Sequence, residues 1–142
     1  MTGGAAVTGA GRCLVVPKPR PAARQRLVVF PHAGGGASFY RAWAELLGPD
    51  IELRIVEYPG HETRMAEPLT DDLDLVVEEV VAELDRTGDG RPETALFGHS
   101  MGAIVAHETA VRLGSAGRLR VTDLFVSAST GRPPTGRYES IA

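Results

Sequence analysis

Gly98-His99-Ser100-Met101-Gly102 sets a serine between two glycines at the junction of two differently patterned segments. Upstream, Thr94-Ala95-Leu96-Phe97 is the short apolar run of a buried strand, and from Ala103 onward the pattern is helical. A serine on a sharp strand-to-helix turn stands above its sheet, where the hydroxyl can attack an acyl carbon. The glycines matter because such a turn is strained and its neighbours pack too closely for a Cβ. A glycine-rich turn with an ordinary surface serine is the plainer alternative. It leaves unexplained why a strand and a helix meet at that residue.

Acyl transfer needs a nucleophile, a base for its proton, and donors for the tetrahedral oxyanion. Ser100 is the nucleophile of this reading. The Met101 N–H, at the start of the following helix, is one oxyanion donor. A second should come from the loop after an earlier strand, where a His-Gly-rich motif serves this purpose. Pro31-His32-Ala33-Gly34-Gly35-Gly36 stands in that place, and the Ala33 N–H is the expected donor. The loop fits nucleotide chemistry less well. The run Gly34-Gly35-Gly36-Ala37-Ser38-Phe39 lacks the last glycine of a dinucleotide fingerprint, and no lysine follows as in a P-loop. A structural turn without a ligand is the remaining alternative.

These residues need strands and helices to hold them. Cys13-Leu14-Val15-Val16 reads as an edge strand, broken by Pro17, Pro19 and Pro21. Arg26–Phe30 is a continuous apolar run of the type buried on both faces of a sheet. Ser38 is placed to cap a helix carrying Phe39, Tyr40, Trp43, Leu46 and Leu47, stopped by Gly48. Ile51–Val56 forms the next strand, closed by Tyr58-Pro59-Gly60-His61. Thr70, Asp71 and Asp72 open a helix whose apolar stripe is Leu73, Val76, Val77, Val80, Val81 and Leu84. After a turn at 88–92 come the strand at Thr94–Phe97 and the Ser100 helix, with small residues Ala103, Ala106 and Ala110. Leu124-Phe125-Val126 is a last strand, and Gly131-Arg132-Pro133-Pro134 ends the pattern.

Strands alternating with helices predict an α/β fold, a parallel sheet with helices on both faces. Ligands of such sheets bind at the carboxyl ends of the strands. His32, His61, Ser100 and Ser129 each follow a strand, so they are expected on one edge.

Bulk properties narrow the function further. The chain has 142 residues, 43% hydrophobic and 23% charged, with a net charge of −3. That suits a soluble globular domain and favours neither nucleic acid nor an anionic membrane. No stretch approaches the roughly 20 apolar residues of a membrane helix. Residues 1–12 read as a flexible tail rather than a secretory signal, and the expected location is cytoplasmic. A lone cysteine, Cys13, excludes an internal disulfide and is a poor metal ligand. No metal or cofactor is expected.

Three motifs in order carry a family resemblance: Phe30-Pro31-His32-Ala33-Gly34-Gly35-Gly36, Tyr58-Pro59-Gly60-His61, and Phe97-Gly98-His99-Ser100-Met101-Gly102-Ala103. Together they resemble the type II thioesterases, free-standing α/β-hydrolases that accompany polyketide synthases and nonribosomal peptide synthetases. The resemblance runs from about Cys13 to the end, so residues 13–142 correspond to the N-terminal part of an α/β-hydrolase domain. It implies hydrolysis of acyl thioesters from the phosphopantetheine arm of an acyl or peptidyl carrier protein, in editing or release. It maps the nucleophile onto Ser100 and the oxyanion donors onto the amides of Ala33 and Met101. His32, Gly34, His61 and His99 are then expected to shape the substrate site. Arg132-Pro133-Pro134 resembles the point where the family's chain leaves the sheet to build a lid.

The family's acid and base follow later, in a Gly-Asp-rich loop and a Gly-Gly-His motif, and neither motif is present. After Ser100 the chain has only His107 and the acids Glu108, Asp123 and Glu139. His107 lies seven residues along the helix, about 10 Å up its axis, too far for a base. His32 and His61 are substitutes only by position, and Glu57, near the same edge, reads as a solvated or structural carboxylate. The expectation is a chain lacking the lid, the C-terminal strands and a complete triad. A carrier-binding remnant without turnover and a generic serine esterase are the two alternatives. The apolar strand at Leu124–Val126 would be left as an uncovered edge.

Overall fold

The computed structural model describes residues 13–87, 93–116 and 119–128. The expected tail at 1–12, the turn at 88–92, Ser129 and Arg132-Pro133-Pro134 lie outside them. Among the described residues five strands form one sheet: β1 (Leu14–Val15), β2 (Gln25–Phe30), β3 (Ile51–Val56), β4 (Glu93–His99) and β5 (Val121–Ser127). Their spatial order is β1-β3-β2-β4-β5, with β1 antiparallel to β3 and the other neighbours parallel. Among the described residues four α-helices lie between them, α1 (Ala37–Tyr40), α2 (Trp43–Leu46), α3 (Leu73–Thr87) and α4 (Met101–Ala116), with a 3₁₀ turn at Glu62–Arg64.

The central strand shows why this sequence makes a two-sided sheet. Val28, Val29 and Phe30 of β2 are all fully buried, yet successive side chains point to opposite faces. Val28 and Phe30 join Leu96, the α3 residues Val76, Val77, Val80 and Leu84, and the α4 residues Val105, Ala106 and Leu113. Val29 joins Leu53 and Ile55 with Tyr40 and Ala44 on the opposite face. Helices therefore cover both faces, as the alternating pattern predicts.

At α3 the expected start holds: the Asp72 carboxylate accepts from the Leu75 N–H at 3.2 Å, capping the helix one residue before Leu73. Two local readings need correction. The single helix expected over Phe39–Leu47 is two short ones. Arg41 and Ala42 keep right-handed helical angles, but Ala44 and Glu45 bond back three residues rather than four. Three-residue turns break the helix there, while Tyr40 and Trp43 stay ring to ring at 5.1 Å. Nor does Ser38 cap α1. Gly36 holds the cap position, and Ser38 is the second helical residue.

The last two strands run longer than their apolar stretches. β4 continues through Gly98 and His99 because these pair with Val126 and Ser127 of β5. Among the described residues β5 is an edge, with Phe125 54% exposed and Val126 41% exposed. Since β2 to β5 are parallel, their carboxyl ends at Phe30, Val56, His99 and Ser127 share one rim of the sheet.

Candidate active site

The rim is built around the one-residue turn between β4 and α4. Ser100 is exposed and sits at φ +57°, a left-handed conformation unusual for a residue with a Cβ. Its backbone is held on both sides: the Ser100 N–H donates to Ser127 O at 2.8 Å, and Ser100 O accepts from the Ala103 N–H at 2.9 Å. The flanking glycines are sterically required. A Cβ on Gly98 would lie 2.2 Å from the Gly102 carbonyl oxygen. One on Gly102 would lie 1.9 Å from Phe30 O and 2.6 Å from Pro31 O, where α4 crosses the end of β2. The local sequence thus buys its strained turn with two missing side chains.

The glycine loop after β2 lies against this crossing. Gly34 takes φ +78°, and the Gly35 N–H closes a turn onto His32 O at 2.9 Å. The His32 ring fills the inside of that turn: a Cβ on Gly35 would sit 2.8 Å from its Cε1. Phe39 packs edge-on at 5.1 Å, His99 at 5.6 Å, and the Tyr40 hydroxyl lies 3.4 Å from Nδ1. His99 in turn has its Nδ1 3.1 Å from Ser127 Oγ. Ala33 is exposed at the tip of the loop. Neither the Ala33 nor the Met101 N–H donates to a backbone carbonyl among the described residues.

His32, Ala33, Gly34, His99, Ser100 and Met101 are therefore gathered where β2 and β4 end. His61 stands at the same rim but turns inward on its own loop. Its Nδ1 lies 3.1 Å from Pro59 O, and its ring packs against Tyr58 at 6.2 Å. His107 is half-buried on α4 with Nδ1 3.7 Å from Glu108. Glu57, expected as a solvated or structural carboxylate, is the structural one. It is 1% exposed, accepts from the Thr63 hydroxyl, and its backbone carbonyl takes an Arg64 N–H at 2.7 Å. Cys13 is fully buried, and burial pushes its thiol up to about 12, with Glu79 and Glu83 adding to the effect. It is no nucleophile.

Three contributors to the rim were not singled out as site residues by the sequence. Ser127 anchors the Ser100 turn and meets His99. The buried Tyr58 hydroxyl donates to Pro31 O at 2.7 Å, and burial raises its pKa, keeping it a donor. Glu62 reaches from the segment after β3 to the start of α1. Only Tyr58 belonged to a recognised motif, and nothing in that motif shows what its hydroxyl meets. A cleft of about 620 Å³ between residues 59–70 and α3, lined by Leu69, Leu75 and Val76, includes none of the Ser100 cluster.

A strained serine between a parallel strand and its helix is the nucleophile elbow on which α/β-hydrolases are built. The model of one family, the thioesterase domain, matches residues 25–139. The chain belongs to that family. It is 43% identical over 110 residues to thioesterase PikA5 of Streptomyces venezuelae, covering 77% of this chain and 38% of that protein. The RedJ thioesterase from the prodiginine biosynthetic pathway of Streptomyces coelicolor superposes with a TM-score of 0.71 at 40% identity. That match covers 78% of this chain and 42% of the other. The type II thioesterase BorB, from the borrelidin biosynthetic cluster, gives a TM-score of 0.73 at 34% identity, covering 92% and 55%. The chain thus spans from about two fifths to just over half the length of these relatives.

Proposed function

We propose that this chain carries the nucleophile half of a thioesterase site acting on acyl groups held as thioesters on the phosphopantetheine arm of a carrier protein. Solved relatives from NRPS/PKS pathways, a type II thioesterase of the yersiniabactin pathway and a protein of the colibactin pathway, support that substrate class. Ser100 Oγ attacks the thioester carbonyl, and the amides of Met101 and Ala33 receive the oxyanion. The carbon–sulfur bond then breaks, the thiol leaves with a proton, and water releases the acid from the serine ester. His32, Gly34 and His99 wall the approach to Ser100, and His61 braces the turn beside it. A cytoplasmic setting goes with a carrier-protein substrate, and no described helix is long and apolar enough to cross a membrane.

The observation that carries this reading is the Ser100 backbone at φ +57°, tied to Ser127 and exposed at the rim. Strain of this kind persists only when the surrounding structure over-determines it, and it clusters at working sites. Among the described residues no side chain is hydrogen-bonded to the Ser100 hydroxyl. The proton acceptor is therefore the part of the site not found among the described residues.

The test is hydrolysis of a short acyl-pantetheine thioester by this chain beside its Ser100→Ala variant. Serine-dependent turnover supports the nucleophile and shows that a base is recruited to it. Equal, background rates for both, with carrier-protein binding retained, would favour a binding remnant instead. Preference for simple oxygen esters would point to a generic esterase.

A further inference from the structure

We infer that Glu62 is a positioning residue for the oxyanion loop, clamping the start of α1 so that the Ala33 amide is held for the reaction at Ser100. This rests on the thioesterase reading above. α1 begins at Ala37 with Gly36 at its cap position, and a glycine has no side chain to satisfy the first free amides of the helix. Glu62 supplies the missing acceptor from a different loop. Its Oε2 accepts from the Ser38 N–H at 3.1 Å and from the Ser38 hydroxyl at 2.8 Å, across 24 residues of sequence. A charged acceptor at a helix start gains from the bond itself and from the free N–H dipoles.

Two further observations show that the clamp is built rather than incidental. Glu62 itself holds φ +45°, the left-handed region, which a glutamate enters only at a cost. Gly36 is bare where the carboxylate passes, since a Cβ there would lie 2.1 Å from Glu62 Oε2. The segment bearing Glu62 is itself anchored. Arg64 is buried and bonded to Glu57 O, Glu67 and Glu79, while Tyr58 ties the same segment to Pro31 O. The loop from His32 to Gly36 is thus held at its start by Tyr58 and at its end by Glu62. Ala33 lies between the two. An oxyanion donor displaced by about 1 Å loses much of its value, because it is aimed at where charge develops rather than at the substrate.

The experiment compares Glu62→Ala, Glu62→Gly and Glu62→Gln in the full chain, with Ser100→Ala as reference. Two readouts are taken: acyl-pantetheine hydrolysis, and hydrogen exchange of the amides in residues 33–38. The glycine variant relieves the backbone while removing the carboxylate, so it separates strain from the clamp and protects against misfolding. Expected for alanine and glycine alike is a kcat lowered about tenfold or more, with KM within about twofold, and faster exchange confined to 33–38. Glutamine keeps an acceptor oxygen and should restore most of both. Unchanged kcat and unchanged exchange alongside Ser100-dependent hydrolysis would overturn the clamp alone. A KM rise with constant kcat would overturn it too, as lost substrate binding. Without Ser100-dependent hydrolysis the reading of this chain as catalytic by itself fails, and the exchange at 33–38 by itself decides whether Glu62 holds the loop.

Discussion

Ser100 and Gly102 show how much of the site depends on single backbone positions. A left-handed residue with a Cβ costs roughly 1–2 kcal/mol relative to glycine, and the Ser100 φ of +57° places it there. Ser100→Gly is therefore expected to raise the unfolding free energy by about 1 kcal/mol in a denaturant titration, while removing the proposed nucleophile. No gain in stability would mean that the turn is unstrained. Gly102 is the opposite case. Phe30 O and Pro31 O are main-chain atoms at the end of β2, and neither can move aside without shifting the glycine loop. Gly102→Ala is expected to cost about 2 kcal/mol and to lower Ser100-dependent turnover. An unchanged denaturation midpoint would show that α4 and β2 are further apart than this. The glycine spacing made both positions legible in the sequence; the atoms that exclude a Cβ were not, since they lie about 70 residues away in the chain.

Among the elements, α3 was the best specified, because its start signal and apolar stripe agree. The Asp72 cap and fully buried Leu84 can be tested separately. Asp72→Ala is expected to cost about 1 kcal/mol. Leu84→Ala, which empties a site in the core between α3 and the sheet, should cost about 2–5 kcal/mol. Equal losses from the two in thermal or chemical unfolding would contradict the assignment of α3 as a core helix. The segment over Phe39–Leu47 was legible as helical but not as two helices. Its apolar spacing of three and four fits either a four-residue or a three-residue turn, and the choice falls to Tyr40 and Trp43 packing over β2 and β3. β4 and β5 likewise outran their apolar cores because Gly98 and His99 pair across the sheet, which composition does not record.

For the whole molecule, burial of acidic hydroxyl and thiol groups sets an alkaline limit. Cys13 rises from its ordinary value of 9.0 to about 12, first through burial, and Tyr58 is raised by the same cause. A group whose pKa is higher folded than unfolded adds stability that is complete below the unfolded value and lost as pH climbs through the folded one. Thermal stability should accordingly be level up to about pH 9 in this respect and decline above it. Cys13→Ala should flatten the first part of that decline. A slope that is unaltered by the substitution would remove Cys13 as its source. At this scale the sequence alone determined the parallel sheet covered on two faces, the rim on which Ser100 and His32 meet, and the elbow itself. Each rests on periodicity or on spacing within a few residues, which is where local sterics and burial act. Only the tertiary structure decided that Glu62 caps α1, that Tyr58 and Ser127 pin the two loops, and that His61 turns to its own loop. The Ser38–Glu62, Tyr58–Pro31 and His99–Ser127 contacts join residues 24 to 28 positions apart. Partners at such separations are chosen by the strand order β3-β2-β4-β5, and no local pattern carries that order.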